Sequence, residues 1–394
     1  MMSAIGLWYP VYDQRLKWVG VRLETDASAA VARDFFAEMS SAALAVEGVE
    51  NKLLFVGADV LIAGDQSLAL PFPPAQLVVV LSETFLSNRA SMKACLAWRS
   101  QGARLAMTGL DIASGPSPDL VSVRIIDAVT APAKFSEQAL LDASSTETRL
   151  FAQGIGSMEL FDWCAATGFS YFTFGALDYP ESDGQPRDAS SLPLMRLLSL
   201  VATDAQTAEM EEVFKLDPKL AFELLRLVNS TANAIRTEIT SFAQAIMVLG
   251  RRQLQRWLQL LMFSQRKKGD ESPNILMQRA AERGRLMELL AVEGNETASR
   301  EQAFMVGVFS VLDILMATPL ADLLKSISLP HPVEQALLER EGRLGTLLDL
   351  VCAAESSDFA EVQRLLPGLG ITPGTLNRTQ LDAIFWALSV IGSK

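Results

Sequence analysis

Histidine is almost missing from this chain: His331 is the one histidine in 394 residues. A zinc site built on several imidazoles is therefore excluded, and Ser-His or Cys-His catalysis would have to run through His331 alone. That residue sits between two prolines in SLPHPVEQ, which reads as a surface turn leading into a helix. Cysteine is scarce as well. Cys95, Cys164 and Cys352 are far apart and show no CxxC spacing, which fits reduced, buried thiols in a cytoplasmic protein rather than a disulfide framework. Positive charge is in deficit, with 34 Lys and Arg against 46 Asp and Glu and a net charge of −12. A surface that tracks phosphates is not expected from that balance, so no nucleic-acid partner is expected. The local basic clusters Arg251-Arg252 and Arg266-Lys267-Lys268 read as solvated helix faces.

Long unbroken apolar runs are also lacking. AFMVGVFSVLDILMATPL, residues 303–320, is interrupted by Ser310 and Asp313 and closed by Pro319, so it reads as a buried core helix rather than a membrane span. The opening MMSAIGLWYPVYD has no basic stretch followed by an apolar core, so neither an export signal nor a membrane partner is expected.

What is present is a globular composition, 49% hydrophobic and 20% charged, over a length that suits two domains. The first half alternates strand and helix signals. IGLWYPVYD and WVGVRLE read as an opening hairpin, and KLLFVGAD, QLVVVLSE, ARLAMTGLD, LVSVRIID and FSYFTFG as strands. Residues 27–48, FLSNRASMKACLAWRSQG, TETRLFAQGI and MELFDWCAATG read as helices. Continuous Val/Ile/Leu strands separated by helices imply a parallel sheet covered by helices. The expected fold class is α/β plus all-α: a (β/α) barrel followed by a helical domain. Roughly 190 residues is short for a complete barrel, so a reduced or partly open one is expected. DYPESDGQPRDASS, residues 178–191, is the Pro/Gly/Asp/Ser-rich break. The expected division is a barrel over 1–182, a linker over 183–194 and a helical domain over 195–394.

In the helical half, Asp217 as N-cap and Pro218 at the first helical position start one helix. Asn229, Ser230 and Thr231 end it. Ser241 with Gln244 three residues on is a capping box for the next, and Gly250 suits the left-handed position that closes it. The hydroxyls and amides around Asn229 are thus accounted for by helix ends rather than by catalysis.

The stretch DPKLAFELLRLVNSTANAIRTEITSFAQAIMVLG carries a resemblance to HDOD domains, helical signalling modules related to HD-type metallophosphohydrolases. The matching residues are Asp217-Pro218, Leu225-Arg226-Leu227, Asn229-Ser230, Ile239, Ser241, Gln244-Ala245-Ile246 and Leu249-Gly250. The likeness extends over about 195–390. Where an HD enzyme has a metal-binding His in VGVFSVLDI, Ser310 stands, and Asp313 is an isolated acid. The N-terminal half resembles a degenerate EAL domain, the cyclic di-GMP phosphodiesterase barrel. YPVYDQRLKWVGVRLE is similar to that family's opening hairpin, LVVVLSE to its LVLEITE strand, and RLFAQGIGSMELFDWCAATGFSYFTFG to its stretch LLAEKVET…F…C…LGFDLFQG.

The EAL resemblance implies carboxylates converging on two divalent metals. Matched residue by residue, those positions hold Arg22, Val80, Thr108-Gly109, Ser122 with Arg124, and Gly156. A shift of one or two residues brings Asp111 or Asp127 into the site. The expectation is therefore a protein that is not an enzyme and holds no metal or cofactor. It would act as a signal-transduction adaptor through a protein partner, with a non-enzymatic cyclic di-GMP receptor as the alternative. The sequence leaves the partner and the oligomeric state open.

Overall fold

The computed structural model describes residues 4–26, 52–62, 73–82, 85, 89–109, 120–144, 148–176, 200, 209–210, 213, 250, 256, 259–260, 275–293, 299–316, 318–325 and 329–391. Two contact units divide the chain. The first comprises Met1–Asp178, Cys352–Arg364 and Thr372–Leu381; the second comprises Tyr179–Val351, Leu365–Ile371 and Asp382–Lys394. The division expected at 182–195 thus meets a first break at Asp178, and two C-terminal segments belong with the barrel.

The strands follow the apolar runs. They are β1 (Gly6–Tyr12), β2 (Trp18–Thr25), β3 (Leu53–Gly57), β4 (Leu77–Leu81), β5 (Arg104–Thr108), β6 (Val123–Asp127), β7 (Arg149–Ile155) and β8 (Phe169–Phe174). They close in chain order into one barrel. Strands β2 to β8 run parallel, and β1 is antiparallel to both β2 and β8. The expected partly open barrel is corrected: all eight strands are present and the ring is closed. Helices α1 (Ala58–Ile62), α2 (Arg89–Ser100), α3 (Ala131–Lys134), α4 (Glu137–Ser144) and α5 (Met158–Ala166) lie between the strands. Gly102, at φ +101°, follows α2 where a helix end was expected, in a conformation that favours glycine. Residues 27–48, expected helical, lie outside the described residues.

One reading was wrong in kind. TETRLFAQGI was expected to be a helix, yet Arg149–Ile155 is strand β7, hydrogen-bonded to β6 and β8. Its Leu150, Phe151 and Ile155 fit a helical stripe locally, but the pairing partners on both sides decide the conformation.

Alternate residues of each strand fill the barrel. Val11, Phe55, Val78, Ala106, Val123, Ile125, Phe151 and Tyr171 form a single buried cluster. Phe55 meets Phe151 edge-on, with ring centroids 5.0 Å apart. Burying each such large apolar side chain stabilises by about 1.5–3 kcal/mol.

The second unit is helical throughout its described residues. Its helices are α6 (Ile275–Leu290), α7 (Arg300–Phe309), α8 (Leu312–Met316), α9 (Leu320–Leu324) and α10 (His331–Leu338). Three more follow in the chain: α11 (Gly342–Glu355), α12 (Phe359–Leu369) and α13 (Pro373–Ile391). A Cβ added at Gly307 of α7 would sit 2.6 Å from the Cα of Gly284 in α6, so glycine permits the two backbones to approach this closely. The run 303–320, expected as one core helix, is broken. Ser310 ends α7, and the chain resumes helix at Leu312. His331 opens α10 at the surface, behind Pro330, as the proline-flanked turn implied.

Candidate functional site

In a barrel of parallel strands, the side chains able to converge on the mouth are those facing inward near the strands' C-terminal ends. Arg22 pairs across the ladder with Tyr9 on β1 and Phe55 on β3. Because Phe55 belongs to the interior cluster, Arg22 faces inward too, and its guanidinium lies over the Phe151 ring, 5.6 Å from the centroid. Two residues on, Glu24 shares that face. Arg22 Nη2 is 3.1 Å from Glu24 Oε1, and both side chains are largely buried. Gln153 of β7 joins them: Arg22 Nη1 donates to its Oε1 at 2.5 Å, and its Nε2 donates to Glu24 Oε1 at 2.7 Å. Burial lowers the Arg22 guanidinium from its ordinary value, against the opposing pull of Glu24 and Tyr9.

The second oxygen of Glu24 is also engaged. Ser357 Oγ donates to Oε2 at 3.0 Å and lies 2.8 Å from the Tyr9 hydroxyl, which itself donates to the Ala354 carbonyl at 2.9 Å. Glu24 therefore receives hydrogen bonds on both oxygens. A largely buried carboxylate is thereby left with neither oxygen unpartnered.

The remaining expected positions separate into two groups. Val80, opposite Gly57 and Ala106, faces inward and packs against the interior cluster. Thr108, opposite Ile125, faces inward as well, and its Oγ1 donates to the Leu81 carbonyl at 3.4 Å. Gly109 follows at φ +99°, and Gly156 lies buried just beyond β7. Ser122 and Arg124 are a correction. Ser122 precedes β6 and donates to the Leu105 carbonyl at 3.2 Å. Arg124, opposite Met107 and Leu150, faces the outer layer and donates to the Met107 thioether at 3.2 Å. Burial alone lowers its guanidinium. The pleat turns Ile125 and Asp127 inward instead. Asp127 ends β6 opposite Gln153 and accepts the Thr130 N–H at 2.9 Å. Asp111 lies outside the described residues.

Gln153 was missed by sequence reasoning. Reading 146–155 as a strand would have placed it two residues beyond the interior-facing Phe151, at the mouth. The pair of divalent metals implied by the EAL resemblance can be tested on the donor set. The interior-facing carboxylates of the described strands are Glu24 and Asp127, each already engaged as above. Among the described residues no three His, Cys, Asp or Glu side chains gather to hold a metal. That set, among the described residues, does not fit a two-metal centre.

In the helical unit, Ser310 Oγ accepts from Arg283 Nη1 at 2.7 Å. A guanidinium thus lies beside the position where the resemblance places a metal-binding histidine. Gly250 has φ +74°, the left-handed conformation expected of it. Asp217, Pro218, Asn229, Ser230, Ser241 and Gln244 lie outside the described residues.

Residues 193–335 match the family model of the HDOD domain. A closed barrel ahead of an HDOD domain is the EAL–HDOD arrangement that the sequence resembles. The chain is 31% identical over 254 residues to the cyclic di-GMP phosphodiesterase CdgJ of Vibrio cholerae, covering 63% of this chain and 57% of that protein. This chain therefore spans little more than half of that relative. It is 23% identical over 341 residues to YuxH, an uncharacterized protein of Bacillus subtilis, covering 83% of this chain and 82% of that one. Among solved structures it has a weak likeness to a PaMucR phosphodiesterase complex with c-di-GMP, at 14% identity and a TM-score of 0.35, over 48% of this chain and 94% of that one. The relationship to a named phosphodiesterase overturns the expectation that the chain is not an enzyme. Among the described residues no helix is long and apolar enough to cross a membrane.

Proposed function

We propose that this protein works in cyclic di-GMP signalling, with the barrel mouth taking up the cyclic dinucleotide at Arg22 and the HDOD domain relaying the occupied state to a protein partner. The observation that carries the reading is the Arg22 guanidinium, buried and facing inward at the mouth of a closed barrel. A planar, permanently charged guanidinium in a partly desolvated setting is well matched to a phosphodiester, which it can grip through two parallel N–H donors. Identity to a cyclic di-GMP phosphodiesterase supports the choice of ligand class. The net charge of −12 supports a single recessed cation over a basic surface as the phosphate contact.

The test is isothermal titration of the full chain with cyclic di-GMP, with and without Mg²⁺, with product analysis of the same samples. Saturable heat that disappears in Arg22→Met is expected. Linear dinucleotide in the product analysis would add turnover to binding. Absence of heat from the wild-type chain under both conditions would overturn the reading.

A further inference from the structure

Two C-terminal segments of the first unit lie against the same edge of the barrel mouth. From α13, Asn377 Oδ1 accepts the Gly6 N–H at 2.8 Å and its Nδ2 donates to the Ala4 carbonyl at 3.0 Å. Gln380, one turn later, accepts from the Trp8 N–H at 3.3 Å and donates to the Gly6 carbonyl at 2.9 Å. Both amides are buried. Strand β1 pairs with β8 at a single position, Tyr12 with Phe172, and these two side chains bond the backbone of Ala4, Gly6 and Trp8 at its other end. They anchor the segment. The loop between α11 and α12 then reaches the end of β2, where Ser357 bonds Glu24, and Gln363 from α12 donates through Nε2 to Asp26 Oδ2 at 2.6 Å.

Ser357 makes its contact from a left-handed backbone, φ +59°, which disfavours any residue with a Cβ by about 1–2 kcal/mol. A serine held there by hydroxyl contacts is a strained element that its surroundings maintain. Its hydroxyl and that of Tyr9 carry two hydrogens for three contacts, those to Glu24, to Ala354 and to each other. The two hydroxyls therefore share their hydrogens among the three contacts.

We infer that residues 352–364 form a clasp that holds Glu24 on Arg22 and so keeps the guanidinium from an incoming phosphodiester until the clasp is released. This rests on the Arg22 reading above and adds its regulation. With Ser357 in place, Glu24 has donors on both oxygens and stays turned inward against Arg22. Without the hydroxyl, Oε2 loses that donor, and the carboxylate gains by turning to water and leaving Arg22 open to a phosphate. The clasp and the ligand compete for one cation.

The experiment compares the wild-type chain with Ser357→Gly, which removes the hydroxyl and suits the positive φ, and with Ser357→Ala. Two readouts are taken. One is the rate at which 5,5′-dithiobis(2-nitrobenzoate) modifies Cys352, the partly buried thiol within the segment; Cys95 and Cys164 are buried. The other is the Kd for cyclic di-GMP. Faster Cys352 modification with roughly tenfold tighter binding is expected, the size of one hydrogen bond to a charged group. An unchanged thiol rate overturns the clasp, as does an unchanged Kd in a chain that binds. Faster modification with no dinucleotide heat in any chain retains the releasable clasp and overturns the ligand reading instead.

Discussion

Gly6 and Asn377 are 371 residues apart in the chain, yet the Gly6 N–H donates to the Asn377 side-chain oxygen at 2.8 Å. The two ends of the chain are thus joined on one strand edge, and a barrel strand depends on a helix from the far terminus. Asn377→Ala leaves a buried N–H and a buried carbonyl without their partner. Urea unfolding should show a loss of about 1–3 kcal/mol, with a similar loss for Gln380→Ala. A chain cut before Thr372 should fail to give the cooperative barrel transition.

The Arg22–Glu24 pair predicts that the double variant is destabilised less than the single one. Removing Arg22 alone strands a mostly buried carboxylate, and Arg22→Met should cost about 3–5 kcal/mol. Arg22→Met with Glu24→Gln removes both charges and should recover much of that loss. A double-mutant cycle read by chemical denaturation checks it; additive losses would contradict the pairing.

Close backbone approach in the helical unit is equally testable. A methyl at Gly307 would lie 2.7 Å from the Arg283 carbonyl as well as against Gly284. Gly307→Ala should therefore destabilise by about 1–3 kcal/mol, through forced separation of α6 and α7. Differential scanning calorimetry would register it as a lowered transition for the HDOD unit.

Burial raises the Cys164 thiol from 9.0 to about 12, because the thiolate would lose its hydration. The folded state then holds this proton where the unfolded chain releases it. The associated stability is complete below pH 9 and is lost as the pH rises toward 12. Thermal unfolding across that window should show less alkaline loss in Cys164→Ala than in the wild-type chain. Thiol titration of the folded wild type at pH 8 should find Cys352 reacting well ahead of Cys95 and Cys164.

Apart from β7, the strand positions, the parallel order after the first hairpin and the helical character of the described residues of the second half were legible because each rests on local apolar pattern and turn chemistry. So were the missing histidines and the odd residue at the mouth, Arg22, once a family resemblance supplied the frame. What failed locally was β7. Leu150, Phe151 and Ile155 satisfy a helical stripe as well as a strand, and only the neighbours β6 and β8 choose between them.

Sequence alone, then, determined most of the kinds of element and the scarcity of histidine, since both follow from residue type and spacing. Tertiary structure decided which side chains share the mouth. The pleat turns Asp127 inward and Arg124 outward, β7 brings Gln153 to Arg22, and a loop at Ser357 reaches Glu24 across 333 residues of chain. The reason is physical: hydrogen bonds and ion pairs act over a few ångströms of space, and separation along the chain says nothing about that distance until the barrel has closed.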